Sequence, residues 1–203
     1  MKNFPRIDRL PPYTLGIVNE LKHKARQRGE DIIDFGLGNP DQPTPKHIID
    51  KLCEAAAKNG NHRYSLSRGI YKLRLAISDW YKNRFDVDLD PESEAIVTLG
   101  SKEGIAHLPL ALVNPGDTVL MTDPGYPVYA IGTMLAGGTS YSIPLSADSN
   151  WLPDLNSIPS DVLSKSQLLW LCYPGNPTAA VAPFEFFESA VDFAHQNGLI
   201  VAQ

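Results

Sequence analysis

The chain has 203 residues, 43% of them hydrophobic and 20% charged, with a formal net charge of −5. These proportions exclude an intrinsically disordered polymer, which would carry more charge and less apolar residue. A chain this long buries roughly 70% of its unfolded surface, so it needs neither disulfides nor a structural metal to hold a core. The acidic balance argues against a nucleic-acid binder, and no apolar run approaches the roughly 18 residues of a membrane span. Met1 to Leu15 carries charges together with Pro5, Pro11 and Pro12 where a signal peptide would place its apolar stretch. The expectation is a cytoplasmic protein with no nucleic-acid or membrane partner. Its two cysteines, Cys53 and Cys172, fit no metal spacing and read as buried free thiols; no metal site is expected.

A proline-rich arm leads into a predicted helix from Thr14 to Arg28, with Ile17, Val18, Leu21 and Ala25 on one face and Gly29 as its stop. Ile32 to Phe35 is a short extended run before a loop enforced by Gly36, Gly38 and Pro40. Thr44 and Pro45 read as the N-cap and first turn of a helix carrying Ile48, Ile49, Leu52 and Ala56. Another helix runs from about Ile70 to Arg84, with Leu73, Ile77 and Trp80 at helical spacing. From Glu94 onward, short apolar runs alternate with helical segments. Strands are predicted at Ala95 to Leu99, Val119 to Thr122, Ser140 to Ile143, Leu168 to Cys172 and Leu199 to Ala202. Helices are predicted at Ser101 to Leu112, Val128 to Ala136 and Phe184 to Asn197. This alternation predicts an α/β fold, a mostly parallel sheet with helices on both faces. Ser146 to Ser160 reads as a loop.

In an open parallel sheet, ligands sit beyond the carboxyl ends of the strands. Three of the predicted exit loops carry unusual residues. Gly100-Ser101-Lys102-Glu103-Gly104 opens a helix, and adds a hydroxyl and an ammonium to the free N–H groups and positive dipole end found there. That combination suits a phosphate monoester; taken alone, Ser101 is equally a simple cap and Lys102 a solvated side chain. Asp123-Pro124-Gly125-Tyr126-Pro127 holds Tyr126 between stiff segments, where its ring could carry a planar ligand or be an ordinary core aromatic. In Tyr173-Pro174-Gly175-Asn176-Pro177-Thr178, Asn176 offers an amide donor to an oxygen anion, or is a turn residue. Together the three describe a pocket for a phosphorylated aromatic ring with a phenolic oxygen.

These motifs, in order Gly38-Asn39-Pro40-Asp41, Tyr64-Ser65-Leu66-Ser67-Arg68-Gly69-Ile70, Gly100 to Gly104 and Asn176-Pro177-Thr178, resemble those of the fold type I aminotransferases of class I/II. The resemblance runs from Arg6 to Ala202 and is greatest for the alanine (glutamate-pyruvate) and LL-diaminopimelate branches. It implies a transaminase dependent on pyridoxal 5'-phosphate (PLP), acting on an amino acid of alanine/glutamate type and a 2-oxo acid, in amino acid metabolism. An LL-diaminopimelate aminotransferase, a lyase of the same fold and a non-catalytic PLP-binding chain are the alternatives. By the resemblance, Ser101 and Lys102 hold the cofactor phosphate, Tyr126 stacks on the pyridine ring and Asn176 meets its phenolic oxygen. Gly38 matches the glycine whose backbone meets the substrate carboxylate, and Tyr13 resembles a substrate-side residue. Tyr64 matches a tyrosine that reaches the neighbouring subunit's phosphate, which implies a homodimer with shared sites. Residues 1–38 are expected to form an arm and a small-domain segment, and 39–203 the large PLP-binding domain, truncated on its C-terminal side.

Transamination also needs a Schiff-base lysine and a carboxylate beside the pyridine nitrogen. The resemblance puts both downstream of Gln203, so no catalytic residue is assigned in this chain and the chain as given is expected to be inactive. Lys165, in a Ser164-Lys165-Ser166 context, precedes the Asn-Pro-Thr strand and reads as a solvated loop residue. Glu103 suits the helix dipole and needs no catalytic role.

Overall fold

Helix starts and stops follow the prolines and glycines of the sequence. The computed structural model describes residues 5–36, 38 and 40–203. It divides into two units, one of Pro11–Val97, the other of Thr98–Gln203 with the described residues up to Leu10. A four-residue helix, α1 (Pro5–Asp8), precedes the first unit.

Within Pro11–Val97, helix α2 (Thr14–Gln27) is followed by Gly29 at φ +79, as its stop signal predicts. Helix α3 (Lys46–Ala56) starts one residue later than Thr44 and Pro45 suggest. Pro45 has an extended ψ of 135° and its carbonyl accepts from Ile48 N–H at 3.0 Å, so Pro45 is itself the cap and Thr44 lies outside the helix. The apolar residues Ile48, Ile49 and Leu52 of α3 are exposed, and so is Cys53 beside them. The expected burial of the thiols therefore fails at Cys53, while Cys172 is half-buried; both are free.

Helix α4 (Tyr71–Phe85) buries Arg74 and Ser78 and ends at Asp86 in the left-handed region, φ 56. Arg74 fastens the turn in front of it: its guanidinium donates to the Gly69 carbonyl (3.4 Å), the Pro91 carbonyl and the Glu92 carboxylate (3.2 Å). Arg68 donates to the Glu92 carbonyl and carboxylate. Gly69 has φ +84, and a Cβ placed on it would lie 2.4 Å from Val97 Cβ, so only glycine fits this turn.

The predicted strand from Ala95 to Leu99 does not form. The hydrogen-bonding groups of this segment turn to partners outside the sheet: Val97 N–H donates to the Arg68 carbonyl at 3.1 Å, Leu99 N–H to the Glu103 carboxylate, and the Thr98 hydroxyl to the Gly100 carbonyl at 3.0 Å. A β-propensity run without a ladder neighbour stays irregular.

In the second unit, helix α5 (Ser101–Leu112) leads to β1 (Thr118–Asp123), α6 (Val128–Ala136) and β2 (Thr139–Pro144). Short turns and α7 (Ser160–Leu163) follow, then β3 (Ser166–Trp170), α8 (Phe184–Asn197) and β4 (Ile200–Ala202). The helices α5, α6 and α8 have the predicted bounds. The strands form an all-parallel sheet of order β2-β1-β3-β4, so the fold is α/β, as expected.

Alternation along the two central strands explains the layers. Val119, Met121, Leu168 and Trp170 face one side and pack with Ile105, Leu108 and Leu112 of α5 and Tyr129, Ala130 and Ala136 of α6. Leu120, Leu169 and Leu171 face the other side and pack with Ala190 and Ala194 of α8 and with Leu155 and Ile158. β2 is an edge strand and keeps one buried residue, Ile143. Its Thr and Ser residues are tolerated because water reaches them.

Candidate cofactor site

The topology locates the crevice. From β1 the chain crosses through α6 over one face of the sheet to β2; from β3 it crosses through α8 over the opposite face to β4. Adjacent parallel strands whose connections leave in opposite directions open a gap beyond their carboxyl ends. The β1 exit holds Tyr126 and the β3 exit holds Asn176. Helix α5 ends just before β1 begins, so it runs down the sheet and brings its N-terminus to the same end.

At that N-terminus Gly100 takes φ 88 and ψ 156, a conformation that turns the chain abruptly into the helix. No side chain caps it. Glu103 N–H donates to the Gly100 carbonyl at 3.2 Å, and the Glu103 carboxylate reaches back to Leu99 N–H. Glu103 is thus used in folding back the turn, in line with its reading as a dipole residue. Among the described residues, no acceptor meets the N–H groups of Ser101 and Lys102, whose side chains are exposed. Two free N–H donors, a hydroxyl, an ammonium and the helix dipole are the donor set that a phosphate dianion requires.

Tyr126 is half-buried at the start of α6. The backbone before it has no slack, since a Cβ on Gly125 would lie 2.3 Å from the Thr122 carbonyl oxygen. Its ring meets Tyr129 edge to face at 5.8 Å and 85°, and Tyr129 stacks on Trp170 at 4.6 Å and 19°. Burial pushes the Tyr129 hydroxyl well above the ordinary tyrosine range, with the Cys172 thiol beside it acting in the same direction.

Asn176 is exposed in a turn closed by Gly175 N–H to Ala180 O (2.8 Å) and Ala179 N–H to Gly175 O (2.7 Å). Among the described residues its amide has no partner, so it can donate to an incoming oxygen. The peptide bonds before Pro124, Pro174 and Pro177 are cis. Tyr173, at the base of this loop, donates its hydroxyl to the Trp151 carbonyl at 2.7 Å. Burial, then the Cys172 thiol, pushes its pKa from 10.0 up to about 12.

A phenol whose folded-state pKa lies above its unfolded value stabilises the fold while it stays protonated. That contribution is intact below pH about 10 and is lost as the pH rises towards about 12. Alkaline unfolding followed by circular dichroism should therefore set in over this range. A Tyr173→Phe variant should show a shallower pH dependence there; an unchanged slope would refute the assignment.

Ser101, Lys102, Tyr126 and Asn176 thus belong to one unit and one end of its sheet. Tyr13, Gly38 and Tyr64 belong to the Pro11–Val97 unit. Tyr13 caps α2 and is exposed, Gly38 is exposed, and Tyr64 is fully exposed on the loop in front of the Arg74-bound turn. Leu37 and Asn39, which flank Gly38 in its motif, lie outside the described residues. Lys165 is at the opposite end of the sheet, its carbonyl accepting from Thr118 N–H at 2.7 Å where β1 begins. Sequence reasoning missed Tyr129 and Trp170; the Tyr-Pro-Val-Tyr spacing was the available signal for the first, and none existed for the second.

Residues 30–202 match the family described as aminotransferase class I and II. The chain is 50% identical over 197 residues to an LL-diaminopimelate aminotransferase of Aquifex aeolicus, covering 97% of this chain and 51% of that protein. It is 50% identical over 200 residues to the glutamate-pyruvate aminotransferase AlaC of Escherichia coli, covering 98% and 48%. Among solved structures it is similar to BacF of Bacillus subtilis, with a TM-score of 0.93 and 36% identity, covering 99% of this chain and 51% of that one. It is also similar to a Thermus thermophilus aspartate aminotransferase mutant, with a TM-score of 0.89 and 26% identity over 99% and 52%. The chain therefore spans about half the length of the relatives it matches.

Proposed function

We propose, on the premise that this chain belongs to the class I and II aminotransferase family, that the whole protein moves an amino group between an amino acid and a 2-oxo acid. Enzymes of this family depend on PLP. The observation that carries the reading is the free donor set at the N-terminus of α5, at the end of the sheet where the Tyr126 and Asn176 loops leave it.

Ser101 and Lys102 would hold the phosphate through backbone N–H, hydroxyl and ammonium. Tyr126 would cover one face of the pyridine ring and keep water from it. The Asn176 amide would donate to the phenolic oxygen, which favours its ionised form. When bound, the cofactor supplies an electron-accepting ring that acidifies the substrate's α-hydrogen. In the Pro11–Val97 unit, Gly38 would offer its backbone N–H to the substrate carboxylate and Tyr13 would line the substrate side. Tyr64, fully exposed, would serve the phosphate site of a second copy, making the working form a homodimer. Lys102 is committed to the phosphate and Lys165 sits at the far end of the sheet, so neither is assigned the covalent lysine role. The proposed division is an arm and small-domain segment over 1–38 and a cofactor domain over 39–203. The free thiols of Cys53 and Cys172 suit a reducing compartment, the cytoplasm.

An alanine/glutamate donor with a 2-oxo acid acceptor is the first substrate reading, supported by the likeness to AlaC. LL-diaminopimelate is the second, favoured by the names of several relatives at 45–51% identity. The test is amino transfer by the whole protein with PLP, comparing L-alanine, L-glutamate and LL-diaminopimelate as donors. Transfer to 2-oxoglutarate or pyruvate is expected. Release of ammonia or carbon dioxide without transfer would overturn the transaminase reading, and the preferred donor decides between the two substrates.

A further inference from the structure

We propose that Tyr129 and Trp170 are positioning residues that fix the plane of the Tyr126 ring, and through it the tilt of the bound cofactor; this rests on the reading of Tyr126 as the stacking ring. The three rings form a continuous chain from the sheet to the crevice. Trp170 is 4% exposed and is anchored in β3 by pairing with Ala202 of β4. Tyr129, 6% exposed, lies flat against it at 4.6 Å. The half-buried Tyr126 ring stands at 85° to Tyr129. The backbone repeats the link, since Tyr129 N–H donates to the Tyr126 carbonyl at 3.2 Å.

An edge-to-face contact restricts tilt more than an aliphatic wall does, because the positive ring edge seeks the negative face. The stack beneath then denies Tyr129 any movement of its own. The identity of Trp170 points the same way. Its Nε1–H is buried with no acceptor among the described residues, a loss that phenylalanine in the same place would avoid. The indole is therefore not explained by its N–H; what it supplies is a wide flat face.

The experiment uses the whole protein and PLP. Dissociation constants for PLP are measured for the parent, Tyr129→Phe and Tyr129→Leu, together with the visible circular dichroism of the bound cofactor, which reports its tilt. Tyr129→Phe keeps the ring and should bind within about twofold of the parent, with the same dichroic band. Tyr129→Leu should bind up to roughly tenfold more weakly, with a diminished or displaced band. Parent-like affinity and dichroism in a folded Tyr129→Leu overturns the proposal, as does a Tyr129→Phe variant that loses as much as Leu. A parent that binds no PLP removes the cofactor reading and this proposal with it.

Should Tyr129→Leu not fold, Tyr129→Met fills a similar volume without a flat face and carries the same expectation. If neither folds, Tyr129→Phe decides alone: a displaced dichroic band, or PLP bound more than about twofold more weakly than by the parent, overturns the proposal.

Discussion

Replacing Ser101 by aspartate is expected to weaken PLP binding by about 100-fold or more without loosening the fold. The substitution places a carboxylate in the first turn of α5, where the dipole and the free N–H groups favour it by about 0.3–1 kcal/mol. The same carboxylate would occupy the donors assigned to the phosphate and repel it. Two like charges about 4 Å apart interact by about 4 kcal/mol per charge pair at an effective dielectric of 20, and about 2.7 kcal/mol is already a 100-fold change. Stability and binding thus move in opposite directions, which a general folding defect cannot produce. Urea denaturation of the whole protein without cofactor, set beside titration with PLP, reads both. Binding within threefold of the parent would place the phosphate elsewhere.

Gly69→Ala is expected to destabilise the protein by about 3 kcal/mol. Two independent causes add. The left-handed φ of +84 costs a residue with a Cβ about 1–2 kcal/mol. The new Cβ also meets Val97 Cβ at 2.4 Å, and relieving such an overlap costs about 1–3 kcal/mol. Only the second cause can be removed from outside. Val97→Gly, which removes both the Cβ and the Cγ2 that the new methyl meets, should therefore be less harmful in the Gly69→Ala background than alone, while the φ penalty persists. A thermodynamic cycle over the four proteins measures this, and strict additivity would refute the clash. In the whole protein the same variant should also weaken cofactor binding if Tyr64 acts on a second copy, because its loop runs directly into this turn.

How far these features could be read beforehand depends on whether their cause is local. The ends of α6 and α8 were legible because Gly137 and Gly198 adopt positive φ as stops and because Pro127 and Pro183 precede the starts. The sheet was legible from the short apolar runs Val119 to Met121 and Leu168 to Cys172 that mark β1 and β3. Ala95 to Leu99 has the same character and still forms no strand, since a strand is a property of a pair and propensity describes only one member. Thr44 misled because a proline can serve as the cap as well as the first helical residue. Cys53 misled because a free cysteine without metal spacing was read as buried from its residue type, whereas the face of α3 around it is exposed. The donor set at Ser101 and Lys102 could be proposed from residue types at a helix start. The ring chain under Tyr126 could not, because Trp170 and Tyr129 come from separate elements and meet only through the packing of α6 on β3.

The strand order also grades how the sheet can open. Among the described residues β1 is held on both sides, by β2 and β3, and β3 by β1 and β4, whereas the edge strand β2 is held by β1. A local opening that releases β2 need break only one ladder; exposing the amides of Leu120 or Leu169 requires the sheet itself to come apart. The Tyr126 and Asn176 loops are rooted in β1 and β3, the two strands that part last. The groups assigned to the cofactor thus stand on strands that are paired on both sides, while fraying is left to the β2 edge.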